Sequence, residues 1–177
     1  MKIRTNDLTV TAIFSAVICI LSVITIPIGV VPISLSLFAI MLAAITLGVR
    51  RSFWAVLIYI FIGSLGIPVF SGFNGGLHIL FGPTGGFIIS YIFVTLIMSF
   101  ASQKTNKKLT LFFFGILSLT VCYLLGSLQY AVISKVSFYN SLSVCVVPFV
   151  LFDIFKIILA VNIGLKLKKI SYYPEQK

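Results

Sequence analysis

Asp153 and Lys156 stand three positions apart in PFVLFDIFKIILAVNIGL, an apolar run near the end of the chain. A charged side chain at the centre of a bilayer costs about 2.5 to 3.5 kcal/mol on insertion scales, so two of them together demand a physical reason. On a helix, positions i and i+3 share one face and can interact. The pair either neutralises itself within its helix or faces a cavity and meets a polar ligand. We favour the second reading. Lysine offers an ammonium to a carboxylate, and aspartate accepts from N–H donors. Asp153 is the one acid inside an apolar run, because Asp7 and Glu175 lie at the ends.

The second chemical signal is GSLGIPVFSGFNGGLHILFGPTGGFIISY, Gly63 to Tyr91, which sets two Gly-Gly pairs and two prolines in an uncharged stretch between apolar runs. Glycine lets backbone turn sharply or approach a ligand closely, and proline blocks helix propagation. Lipid cannot satisfy the backbone groups such a stretch frees. It must be buried in protein, line a wet cavity or sit at the interface. Gly75 and Gly76, then Gly82, Thr84 and Gly85 of GPTGG, are read as backbone that approaches a ligand. The alternative for GPTGG is a tight contact between helices through small residues. Asn74 either hydrogen-bonds a ligand or holds a turn. Tyr91 and Tyr123 each put a hydroxyl inside an apolar run and are candidates for a cavity wall. Trp54 and Tyr59 are read as span and interface residues, and the three cysteines as packing residues. His78 has no nearby acid and is read as solvated or packed.

These residues need a scaffold, and composition says which kind. The chain has 177 residues, 60% of them hydrophobic and 9% charged, with a formal net charge of +10. A soluble domain carries about 25% charged residues. The mean hydropathy of +1.20 points the same way. Six apolar segments can be drawn, at about 8–26, 35–49, 52–67, 83–101, 111–134 and 141–165. A short uncharged loop, 27–34, joins the first two, and the glycine-rich loop covers 68–82. Basic residues fall on every second connection: Lys2 and Arg4, Arg50 and Arg51, Lys104, Lys107 and Lys108, then Lys166, Lys168 and Lys169; the connections between carry only Lys135 and His78. By the positive-inside rule the clustered basic connections are cytoplasmic, as are both termini. The expectation is one all-α membrane domain over 1–177 with six transmembrane helices in a cell membrane. The charge serves membrane orientation and not nucleic acid.

Enzyme classes fare poorly. One histidine and three scattered acids assemble neither a triad nor a metal cluster, and the G-x-x-x-x-G-K-[ST] phosphate loop is missing. No catalytic residue, metal or cofactor is expected, and any ATP-driven step would need a partner. Ala12 and Ala16 give A-x-x-x-A in the first segment, a spacing that permits close helix approach.

GIPVFSGFNGGLHILFGPTGGF, Gly66 to Phe87, resembles the signature of the BioY family, the biotin-binding S components of energy-coupling-factor (ECF) transporters. The likeness continues through VPISLSLFAIMLAAITLG (31–48), YLLGSLQY (123–130) and PFVLFDIFK (148–156). Ser36 stands where the family usually carries Gln, and Phe152 where a Gly commonly precedes the aspartate. The resemblance implies a six-helix S-component bundle in a bacterial plasma membrane. Biotin, the transported ligand and not a cofactor, would be held under the outer loops, with Asp153 and Lys156 contacting it. It also implies a transmembrane coupling subunit, contacted by Ala12 and Ala16, and two ATP-binding-cassette ATPases as partners. A small facilitator or channel working without ATPases is the rival reading.

Overall fold

The computed structural model describes residues 5–26 and 32–172. Helix α1 (Thr5–Val23) leads into a two-stranded antiparallel ribbon, β1 (Thr25–Ile26) and β2 (Ile33–Ser34), paired Thr25 to Ser34 and Ile26 to Ile33. Then follow α2 (Ser36–Ser64), the short α3 (Leu77–Leu80), α4 (Gly85–Lys104), α5 (Lys108–Ser134), α6 (Phe138–Cys145) and α7 (Val150–Tyr172).

α2 is not one rod. Gly48 takes φ 74° and ψ 175°, a left-handed excursion that glycine makes without steric penalty. The chain reverses there. A straight helix would hold Leu37 and Tyr59 about 33 Å apart, yet both line the same cavity. The two arms therefore correspond to the second and third apolar segments, and Arg50 and Arg51 mark the turn. The first arm is buried along almost its whole length, from Ser36 to Leu47. Packed inside the bundle, it can be shorter than the hydrocarbon thickness. α2 packs against α1, α4 and α7, and α5 against α4, α6 and α7.

The last apolar segment also differs from a plain span. It splits into α6 and α7, bent by 57° across a short break. Pro148 sits in that break and lacks the N–H that a continuous helix would use. Among the described residues four helices are individually long and apolar enough to cross a membrane, and the bent α6–α7 pair, taken as one span, gives a fifth. Counting the arms of α2 separately gives six.

Hydroxyls and glycines fasten the bundle. Ser15 Oγ donates to the Ala55 carbonyl at 3.1 Å, Ser102 Oγ to Ile45 O at 2.9 Å, and Ser141 Oγ to Ser127 O at 2.7 Å. In an apolar surround such bonds between helices replace the hydrophobic drive that lipid does not supply. A Cβ on Gly115 would lie 2.5 Å from Ile157, so α5 and α7 touch only because that side chain is missing.

Candidate ligand site at the outer end

The cavity of about 280 Å³ lies where β2, the start and end of α2, the segment before α4, α5 and α7 converge. Its chemistry is concentrated on one wall. Asp153 and Lys156 are 6% and 7% exposed, deeper than ionic side chains sit on a surface. Lys156 Nζ donates to Asp153 Oδ1 at 2.7 Å, and the Tyr123 hydroxyl donates to Asp153 Oδ2 at 2.7 Å. The one-turn spacing on α7 makes the first bond. α5 brings Tyr123 to the other oxygen.

Both readings of the pair therefore hold together: it is an ion pair within one helix, and it faces the cavity. Among the described residues Asp153 is the one hydrogen-bond partner of Lys156 Nζ. An ammonium has three N–H donors, so two remain for a guest. Each Asp153 oxygen accepts one bond and retains a lone pair. Net charge at the wall is zero.

The remaining walls are aromatic and apolar. Tyr91, Phe87, Phe149, Leu37 and Ile88 line it, with the thiols of Cys122 and Cys145. Cys122 accepts from Ser90 Oγ at 3.0 Å. Tyr59, expected from the sequence as a span or interface residue, is also a wall residue, 1% exposed. It meets Phe70 edge-on at 5.5 Å between ring centroids. Phe70 belongs to the glycine-rich segment and plugs into the gap left by Gly63, where a Cβ would stand 2.2 Å from its ring.

That segment forms a tied lid. Phe70 N donates to Asn74 O at 2.9 Å, and Gly76 N donates to Gly63 O at 2.7 Å. Asn74 Nδ2 donates to Ser71 O at 2.8 Å, holding the turn, while Asn74 itself lies on the cavity rim. Both readings of Asn74 are compatible with this position. Thr84 also lines the cavity.

The glycines stand elsewhere. Gly75, Gly76, Gly82 and Gly85 are not on the cavity wall but in the lid's own packing. A Cβ on Gly75 would fall 2.4 Å from Ile67 O, on Gly82 2.9 Å from His78 O, and on Gly85 1.8 Å from Leu80 O. Gly76 has φ 107°, which an L side chain rarely adopts. At Gly82 and Gly85 of GPTGG the nearest neighbours are the carbonyls of His78 and Leu80, within the same segment. Gln129, which the sequence reading does not single out, completes the lid. Its Nε2 donates to Leu80 O at 2.7 Å and Gly82 O at 2.8 Å, tethering the lid to α5. Its signal in the sequence is a lone amide in an apolar run.

Ala12 and Ala16 lie far from this cavity, exposed on the outward face of α1 beside Leu8, Ile13 and Ile20. Among the described residues no three His, Cys, Asp or Glu side chains gather as a metal site would need.

Comparison with known proteins places this arrangement. The family model described as the BioY family matches residues 1–172. Biotin transporter BioY2 of Lactococcus lactis is 35% identical over 91% of this chain and 89% of its own length. Biotin transporter BioY of Thermotoga maritima is 35% identical over 90% of this chain and 94% of its own. Among solved structures, the S-component for biotin from an ECF-type ABC transporter superposes with a TM-score of 0.87 at 28% identity, covering 95% of both chains. Full-length sequence relationship, a shared bundle and several apolar crossings agree: this multi-pass membrane protein is a transport component and not an enzyme, and it belongs to the BioY family.

Proposed function

We propose that this chain captures biotin from the outer side of the membrane and hands it inward as the S component of an ECF transporter. The observation that carries this is the neutral Asp153–Lys156–Tyr123 set, buried on one wall of a cavity that the glycine-rich segment borders. Small-molecule sites are mostly apolar, with a few placed polar groups. Biotin has the same division: an apolar valerate chain and thioether ring, a ureido head and a carboxylate.

Electrostatics favours one orientation. A carboxylate driven against the pair would leave a net negative charge in a buried site, and uncompensated buried charge is strongly unfavourable. The ureido group is neutral. Its carbonyl can accept from Lys156 and its N–H groups can donate to Asp153, next to the Tyr123 hydroxyl. The carboxylate then lies toward the lid, near Asn74 and Thr84. Release would need an opening of the lid, driven by the coupling subunit and two ATP-binding-cassette ATPases. The proposed docking face for the coupling subunit is Ala12 and Ala16, whose small side chains allow a partner helix to approach.

Calorimetric titration of detergent-purified protein tests both levels. Biotin and biotin amide should bind within a few-fold of each other. An analogue whose ureido oxygen is replaced by an imino nitrogen should bind far more weakly. Wild-type protein that fails to bind biotin refutes the capture assignment. An amide that loses as much as the imino analogue refutes only the orientation. For the partners, bulky replacements at Ala12 and Ala16 should leave biotin binding intact and abolish co-purification with the ATPases. Proteoliposome uptake of biotin by this chain alone, at the rate of the complete complex, would instead support a facilitator.

A further inference from the structure

A second and larger hollow, about 860 Å³, opens at the opposite end of the bundle, between the start of α1, the Gly48 turn and the ends of α4 and α7. Arg50, Arg51 and Lys168 line it, together with Asp7, Gln103 and Trp54. Among the described residues lining it, three cations stand against one carboxylate. Arg51 pairs with Asp7 at 2.5 Å. Lys168 Nζ is held by neutral groups only: the Ser102 carbonyl and hydroxyl, and Asn106 Oδ1 at 2.9 Å. Arg50 is exposed. The described residues contain one other acid, Asp153, which is committed to Lys156 at the far end. The excess positive charge makes this hollow complementary to an anionic guest.

The rim says which kind. Leu8 is 59% exposed and Trp54 54% exposed, and both continue onto the outward apolar surface of the bundle. Tryptophan at such a level is a membrane-interface residue. Basic pockets between helices at the cytoplasmic end suit anionic headgroups. We infer that this hollow seats the phosphate of an anionic glycerophospholipid, its headgroup against Arg50 and Lys168 and its acyl chains running out past Trp54 and Leu8. The inference does not rest on biotin binding, and Ala12 of the proposed docking face also lines the hollow.

Native mass spectrometry of the full chain, with phosphatidylglycerol and phosphatidylcholine of matched acyl chains, tests it. Wild type should retain one phosphatidylglycerol in preference to phosphatidylcholine. Arg50→Gln should cut that preference roughly fivefold, and adding Lys168→Gln should cut it roughly fivefold again. The single variant removes no hydrogen bond seen in the fold, so it remains informative if the double variant is unstable. Excess inorganic phosphate should leave the lipid bound. Displacement by phosphate would mean that the site takes free phosphate, overturning the lipid assignment. Equal retention of both lipids by wild type, or an unchanged preference in Arg50→Gln, would overturn the site itself.

Discussion

The two hollows of this protein treat charge in opposite ways. At the outer end, a small chamber holds one anion and one cation 2.7 Å apart, with a tyrosine completing the carboxylate. At the inner end, a wider hollow holds three cations and one carboxylate. The first is suited to a guest whose buried part is neutral and rich in hydrogen bonds. The second is suited to a guest that brings its own negative charge. Depth explains the division. Inside low-dielectric protein an unbalanced charge is costly, whereas near the interface water and counterions screen it. The same residue types therefore carry different chemistry at the two ends.

That contrast can be broken most sharply at Lys156. Lys156→Ala strands a buried carboxylate, and breaking a buried pair costs about 3–5 kcal/mol. Biotin affinity measured by calorimetry should fall by two orders of magnitude or more. A loss below tenfold would mean that the pair is structural decoration. Tyr123→Phe comes next. It deletes one hydrogen bond to a charged group that the ligand-free fold already makes, worth about 1.5–3 kcal/mol of stability, and should lower the thermal midpoint by several degrees while weakening biotin binding by roughly tenfold. Gln129→Leu releases two lid carbonyls at about 1 kcal/mol each. Stopped-flow measurement should find biotin dissociating roughly tenfold faster, and an unchanged rate would show that the lid does not govern escape. The smallest effect is expected from salt. Screening acts on exposed charge, so raising salt across the Debye regime should erode the inner lipid preference while leaving biotin affinity within about twofold.

Much of this architecture is legible in the order of the residues, and the limits of that legibility have physical causes. Charged residues inside apolar runs are expensive, so Asp153 and Lys156 announce themselves. The alternation of basic clusters yields the six crossings, and the turn at Gly48 stands just before Arg50 and Arg51, where that pattern puts it. Tyr59 stays hidden because its role depends on Phe70 arriving from a separate loop. The glycines are legible as unusual but not in their job. Whether a missing Cβ makes room for a ligand or for Leu80 O is a question about a through-space neighbour. The break at Pro148 is visible as a proline. Its consequence is not, because the apolar run continues on both sides.

The first arm of α2 has one more implication. Its outer tip carries Leu37 into the small chamber, and its inner tip ends at Leu47 and Gly48 on the wall of the basic hollow. Only about 16 Å of helix separates the two, clasped along the way by Ser102 and by Gly164 against Ile45. A strut that short and that tightly gripped has little freedom to flex. An axial slip or roll at either tip would be felt at the other almost undiminished.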